Sequence, residues 1–165
     1  MLAEITGASA TSPVALAGEG DVMPTTPTRP VRFTYRDYLL LPEGDRRELI
    51  GGEFLVVPAP TPHHQRVSAR LQRALHDFVE ANGLGEVFYA PIDVVLSEED
   101  VVQPDLIFVA RDRATVVRET HVAGAPDLVV EILSPSTADR DRETKRRLYF
   151  KYGVREYWLV DPGAG

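Results

Sequence analysis

Pro126-Asp127-Leu128-Val129-Val130-Glu131-Ile132-Leu133-Ser134-Pro135-Ser136-Thr137 is the segment from which the architecture can be read. Leu128 to Leu133 is a nearly continuous apolar run rich in β-branched residues. Such a run predicts a strand covered on both faces, as in a sheet flanked by helices. Ser134 to Thr137 is a turn that supplies an N-cap. A helix follows from about Ala138 to Tyr152 and ends at Gly153, and Glu156 to Val160 predicts another strand. Strand, helix and strand in this order indicate an α/β chain.

The rest of the chain extends that pattern. Pro104 to Ala110 is a second nearly continuous apolar strand, and Glu86 to Leu96 predicts a third. His63 to Ala81 reads as the longest helix, with Val67, Leu71, Ala74, Leu75 and Phe78 as its inward stripe and Asn82-Gly83 as its end. Gly51-Gly52 marks a turn before a strand from Glu53 to Val57. Arg46 to Ile50 is either a short helix or an extended entry to that turn. Thr34 is read as the N-cap of a short helix carrying Tyr35, Tyr38 and Leu39. The expected fold is a mixed β-sheet flanked by helices. Residues 1–30, rich in Ala, Gly, Thr, Ser and Pro, predict a disordered leader ahead of a domain spanning 31–165. The Gly-rich end Asp161 to Gly165, directly after a strand, is read as a C-terminally truncated domain.

At 165 residues the chain is long enough to bury a core without a disulfide or metal staple. Cysteine is absent, which excludes a disulfide scaffold, a thiolate metal site and a cysteine nucleophile. No apolar run approaches the ~20 residues of a membrane helix, and no signal-peptide pattern opens the chain. The expected location is therefore cytoplasmic. A net charge of −7 argues against a protein that coats nucleic acid by charge alone. It leaves room for an enzyme with a local basic groove. The only lysines are Lys145 and Lys151, beside sixteen arginines.

Three acidic residues stand out because their neighbours are apolar. Glu48 precedes Leu49-Ile50, Asp105 opens Leu106 to Val109, and Glu131 lies inside Leu128 to Leu133. A carboxylate buried in a strand costs several kcal/mol unless it meets a cation or a proton. Any one of them could simply pair with an arginine. Asp105 and Glu131 together, near the ends of neighbouring strands, form what a hard divalent cation prefers. Lys145 lies three, four and seven positions before Leu148, Tyr149 and Tyr152, on the same helical stripe. It is either a lysine that snorkels to water or one whose ammonium faces the carboxylates, and its exchange is expected to leave folding intact. Asp139 and Asp141 are read as first-turn acids that complement the helix dipole. Arg66, Arg70 and Arg73 form a basic stripe that could touch phosphates, but Asp77 continues it, and it is read as a solvated, salt-bridged face. His63 and His64 lack the spacing of a zinc pair. Glu53 either supports Glu48 or is exposed, and Trp158 is read as core.

Several segments carry a resemblance. They are Arg47-Glu48-Leu49-Ile50-Gly51-Gly52-Glu53, Pro62-His63-His64-Gln65, Gln103-Pro104-Asp105-Leu106, Pro126 to Ser136, and Tyr152 to Pro162. In order and spacing they resemble the Uma2 family, also called DUF820, which is similar to restriction endonucleases of the PD-(D/E)xK fold. The resemblance covers roughly Thr34 to Pro162. It implies a Mg²⁺-dependent nuclease core, with Mn²⁺ as an alternative ion, DNA as substrate and a homodimer as the assembly. It places Pro104-Asp105 at the PD step, Glu131 at the (D/E) position and Glu48 on the element before the core sheet. Asp105 and Glu131 are then the metal ligands, and Glu48, Asp105, Glu131 and Lys145 the catalytic set. Two positions after Glu131 stands Leu133 rather than lysine, and the resemblance puts the ammonium on the following helix at Lys145. A non-catalytic DNA-binding or assembly module and a hydrolase of small phosphoesters are the alternatives, since fold alone does not fix function.

Overall fold

The computed structural model of the protein describes residues 31–163 apart from Glu43. The expected leader at 1–30 lies outside the described residues. Helix α1 (Tyr35–Tyr38) starts after Thr34, whose N–H and hydroxyl both donate to Asp37 Oδ2, at 2.7 and 2.8 Å. Arg46 to Ile50 resolves to extended chain. Strand β1 (Arg47–Ile50) pairs antiparallel with β2 (Glu53–Val56) around Gly51-Gly52. Both glycines have positive φ, 59° and 76°, as a tight two-residue hairpin turn demands.

Helix α2 (Pro62–Ala81) begins at Thr61, whose hydroxyl accepts from the His64 N–H at 3.2 Å, with Pro62 at the first helical position. It lays Val67, Leu71 and Leu75 on Leu106, Leu128, Val130 and Ile132. The sequence puts Ala74 and Phe78 on this stripe, but both are exposed, and Val79 is buried instead. The inward ridge runs along the i, i+4 row Val67, Leu71, Leu75 and Val79, and Phe78 lies one position off it.

The single strand expected over Glu86 to Leu96 is two strands in different sheets. Pro91, which has no N–H to give a ladder, separates β3 (Gly85–Tyr89) from β4 (Val94–Ser97). Strand β4 then turns into β5 (Asp100–Val102), an element that the sequence reading lacks. Strand β6 (Leu106–Ala110), a 3₁₀ turn, the short β7 (Val122–Ala123) and β8 (Leu128–Ile132) follow. A π-helical segment, Arg140–Lys145, runs directly into α3 (Arg146–Tyr152), which is closed by Gly153 at φ 78°. Strand β9 (Glu156–Val160) is last.

The α/β class with helices against a mixed sheet holds, but the strands divide into two sheets. One runs β2-β1-β5-β4-β7 and the other β3-β6-β8-β9. In the second, β6 is antiparallel to β3 and β8, and β9 is parallel to β8. All five residues of β8 are buried, since α2 covers one face and α3 the other. Trp158 is 42% exposed and not part of the core. It sits on β9, an edge strand with a partner on one side only, and its indole N–H donates to Glu156 at 3.0 Å. Among the described residues no helix is long and apolar enough to cross a membrane.

Candidate active site

The alternation of β8 sends Leu128, Val130 and Ile132 toward α2, and sends Glu131 to the opposite face, where Lys145 and Tyr149 meet it. Lys145 Nζ lies 2.9 Å from Glu131 Oε1, 2.7 Å from Glu48 Oε1 and 3.8 Å from Asp141 Oδ1. Of the three hydrogens of the ammonium, two have a carboxylate at hydrogen-bond distance, and Asp141 stands off at ion-pair range. Lys145 is 4% exposed, so it faces the acids and does not snorkel. Glu48, at 0% exposure, comes from β1, and its Oε1 also accepts from the Gln103 N–H at 3.0 Å. Its other oxygen, Oε2, is buried without a partner.

Asp141 is a residue that the sequence reading misplaces. Asp139 is exposed as expected of a first-turn acid, whereas Asp141 is buried and paired with Lys145. The π-helical segment widens the turn, so residues four and five apart share one face and Asp141 turns inward beside Lys145. Glu53 is exposed and takes no part in the cluster.

Three acids therefore share one ammonium in a water-poor place. Burial pushes the Glu131 carboxyl up to about 8; Lys145 opposes that shift, and the charges of Glu48, Asp105 and Asp141 reinforce it. Burial likewise lifts Asp141 above the usual carboxylate range, against the pull of Lys145. For Lys145 burial works against the charge, but Glu131, Glu48 and Asp141 outweigh it and hold the ammonium above the ordinary lysine value. Tyr149, whose hydroxyl donates to Glu131 Oε1 at 2.8 Å, is raised well above the usual phenol by its burial.

Asp105 stands in the step between β5 and β6. Its Oδ2 accepts from the Ile132 N–H at 2.7 Å and from His64 Nε2 at 3.2 Å. Ile132 is the neighbour of Glu131, so this bond fixes Asp105 against the strand that carries Glu131. The carboxylate of Asp105 lifts the His64 imidazole above its ordinary pKa, with burial opposing. Asp105, Glu131, Glu48, Asp141, Lys145 and His64 line a single cavity of ≈ 520 Å³. His64 is the functional candidate that the sequence reading passes over; its neighbour His63 is exposed and reaches only the Pro162 carbonyl, at 3.1 Å. Arg66, Arg70 and Arg73 are exposed on α2, as expected of a solvated face.

The donor set suits a hard cation of modest demands. Among the described residues Asp105 Oδ1 and Glu131 Oε2 accept no hydrogen bond, and Glu48 Oε2 is orphaned. Among the same residues no three His, Asp or Glu side chains converge as a complete metal cage. Two carboxylates completed by water and phosphate oxygens are what Mg²⁺ accepts.

Residues 35–165 match the profile of the Uma2 family, described as "putative restriction endonuclease". An uncharacterised protein of Synechocystis sp. is 25% identical over 119 residues, which span 71% of this chain and 67% of that one. A crystal structure from Anabaena variabilis, of a "putative nuclease belonging to DUF820", superposes with a TM-score of 0.68 at 23% identity. That match covers 79% of this chain and 74% of the other, and it is a likeness of fold.

Proposed function

This chain belongs to the Uma2 family, and from that premise we propose that it is a Mg²⁺-dependent endonuclease that hydrolyses phosphodiester bonds of DNA, with Mn²⁺ as an alternative ion. The observation that carries the reading is a buried ammonium, Lys145, shared between Glu48 and Glu131 in the cleft that Asp105 also lines. In PD-(D/E)xK terms Asp105 and Glu131 hold the cation, each with one oxygen unclaimed by the protein. When bound, the ion supplies an acidified water and charge neutralisation at the phosphate.

The chain's own groups do the rest. Lys145 keeps a fixed positive charge at the wall of the cleft, where negative charge grows on the phosphoryl oxygens. Glu48 and Asp141 hold that ammonium against Glu131, so no reorganisation is needed when the substrate arrives. Burial keeps bulk water from screening these charges. A homodimer fits this reading because two copies offer one cleft to each strand of a duplex, and the cytoplasm is where such an enzyme meets DNA.

A second reading has its own support. Lys145 is surrounded by buried carboxylates, as a purely structural lysine is, and the chain carries a net charge of −7. On that reading the domain binds or assembles without cutting. A plasmid nicking assay separates the two. The nuclease reading expects cleavage in Mg²⁺ or Mn²⁺, none with chelator and none from Asp105→Asn. Intact plasmid under every metal condition favours the non-catalytic module.

A further inference from the structure

His64 occupies the first turn of α2, three and seven positions before Val67 and Leu71, and thus at the cleft end of the inward stripe. Its side chain is 12% exposed and stops against Asp105, Nε2 to Oδ2 at 3.2 Å. The same oxygen takes the Ile132 N–H at 2.7 Å. An ionised carboxylate can only accept, so Nε2 carries the hydrogen. With two donors on Oδ2, the carboxylate cannot rotate without losing both bonds. Glu131 is held in the same way, since its Oε1 takes both Lys145 and the Tyr149 hydroxyl. Each acid has one oxygen engaged by the protein and one left over.

We propose that His64 is a positioning residue for Asp105: its Nε2–H holds Oδ2 so that Oδ1 is the oxygen offered to a divalent cation. This rests on the reading of Asp105 and Glu131 as cation ligands. The ring is badly placed for acid–base work on a substrate. Nε2 is engaged by Asp105, and Nδ1 is buried without a partner, so neither nitrogen is free at the cleft surface. Outer groups that orient a ligand in this way affect metal affinity by about 10–100-fold.

Calorimetric titration of the full chain with Mn²⁺ alone, without nucleic acid, tests the proposal. His64→Leu removes the donor, His64→Asn carries an amide too short to reach Oδ2, and His64→Gln carries an N–H at nearly the reach of Nε2. The expected result is Mn²⁺ affinity weakened about 10–100-fold in the Leu and Asn variants and largely restored in the Gln variant. In cleavage, the same variants need more Mn²⁺ for half-maximal rate, while the rate at saturating metal changes far less. Should His64→Leu not fold, the comparison of Asn with Gln carries the test. Wild-type affinity in the Asn variant, or Gln as weak as Asn, overturns the positioning role while leaving the cation site standing. A wild-type chain that binds no Mn²⁺, or binds it no better than Asp105→Asn, overturns the underlying site as well.

Discussion

Lys145 Nζ lies 2.7 Å from Glu48 Oε1, so the helical region after β8 is joined through a buried ion pair to the first strand of the other sheet. Glu131 and Asp141 surround the same ammonium. The pair has a consequence for stability that helical spacing alone does not suggest. Replacing Lys145 removes the ammonium that pairs with all three acids and leaves them buried together. The expectation that its exchange leaves folding intact is therefore revised. Lys145→Ala is expected to destabilise the fold by about 3–5 kcal/mol, the scale for breaking a buried pair. The loss should be smaller at pH 5, where a protonated Glu131 needs no counter-charge. Chemical denaturation at pH 5 and pH 8 measures both.

Glu131 gives a pH dependence of definite sign. Its ordinary pKa is 4.5, and burial raises it to about 8 in the folded protein. Between those values the folded state holds a proton that the unfolded state has released. Folding stability therefore falls as pH rises from about 4.5 to 8. Melting temperature in chelator should drop by several degrees over that window. Glu131→Gln, which cannot ionise, should flatten the slope, and the same slope in the variant would show that another group sets it.

Three residues of the site are legible in the sequence for one reason. Glu131 interrupts an apolar strand, Asp105 directly precedes one, and Lys145 shares a stripe with Leu148 and Tyr149, so each is an anomaly against its immediate neighbours. Asp141 and His64 are not anomalies of that kind. An acid near a helix start has an ordinary explanation in the helix dipole, and only the i, i+4 spacing to Lys145 hints at more. His64 extends the stripe of Val67, Leu71 and Leu75, but a polar residue at the end of such a stripe shows its purpose only once Asp105 is seen beside it. The division into two sheets depends on pairing between distant strands. Pro91 was its one local sign, and β5 is too short for periodicity to reveal.

Asp127 predicts the opposite pH behaviour far from the cleft. Although burial opposes it, the Ala110 N–H at 2.8 Å and the guanidiniums of Arg113 and Arg155 at 3.0 and 3.1 Å hold its carboxyl below the usual value of 3.8. The stability it contributes is present above pH 3.8 and is lost as pH falls through the depressed pKa. Asp127→Asn should cost about 1–3 kcal/mol at pH 7. Its deficit relative to wild type should shrink below pH 3.8, as acid titration followed by circular dichroism would reveal.

Asp105→Asn separates metal binding from folding. An asparagine can still offer its carbonyl oxygen to the Ile132 N–H, so that bond survives the exchange. The same oxygen also faces His64 Nε2, so that contact is kept in weakened form, and what is lost is the charge and the oxygen at the Oδ1 position. Without metal, the variant should stay within about 1–2 kcal/mol of wild type, the scale of one altered hydrogen bond. With metal, the two should diverge. A ligand that binds only the folded state at a hundred times its dissociation constant stabilises by about 2.7 kcal/mol. Wild type should therefore melt several degrees higher in saturating Mn²⁺ than in chelator, and Asp105→Asn should melt at the same temperature in both. An equal Mn²⁺ shift in the two proteins would place the ion elsewhere, because nothing else in the exchange alters the surface on which a weakly bound cation could settle.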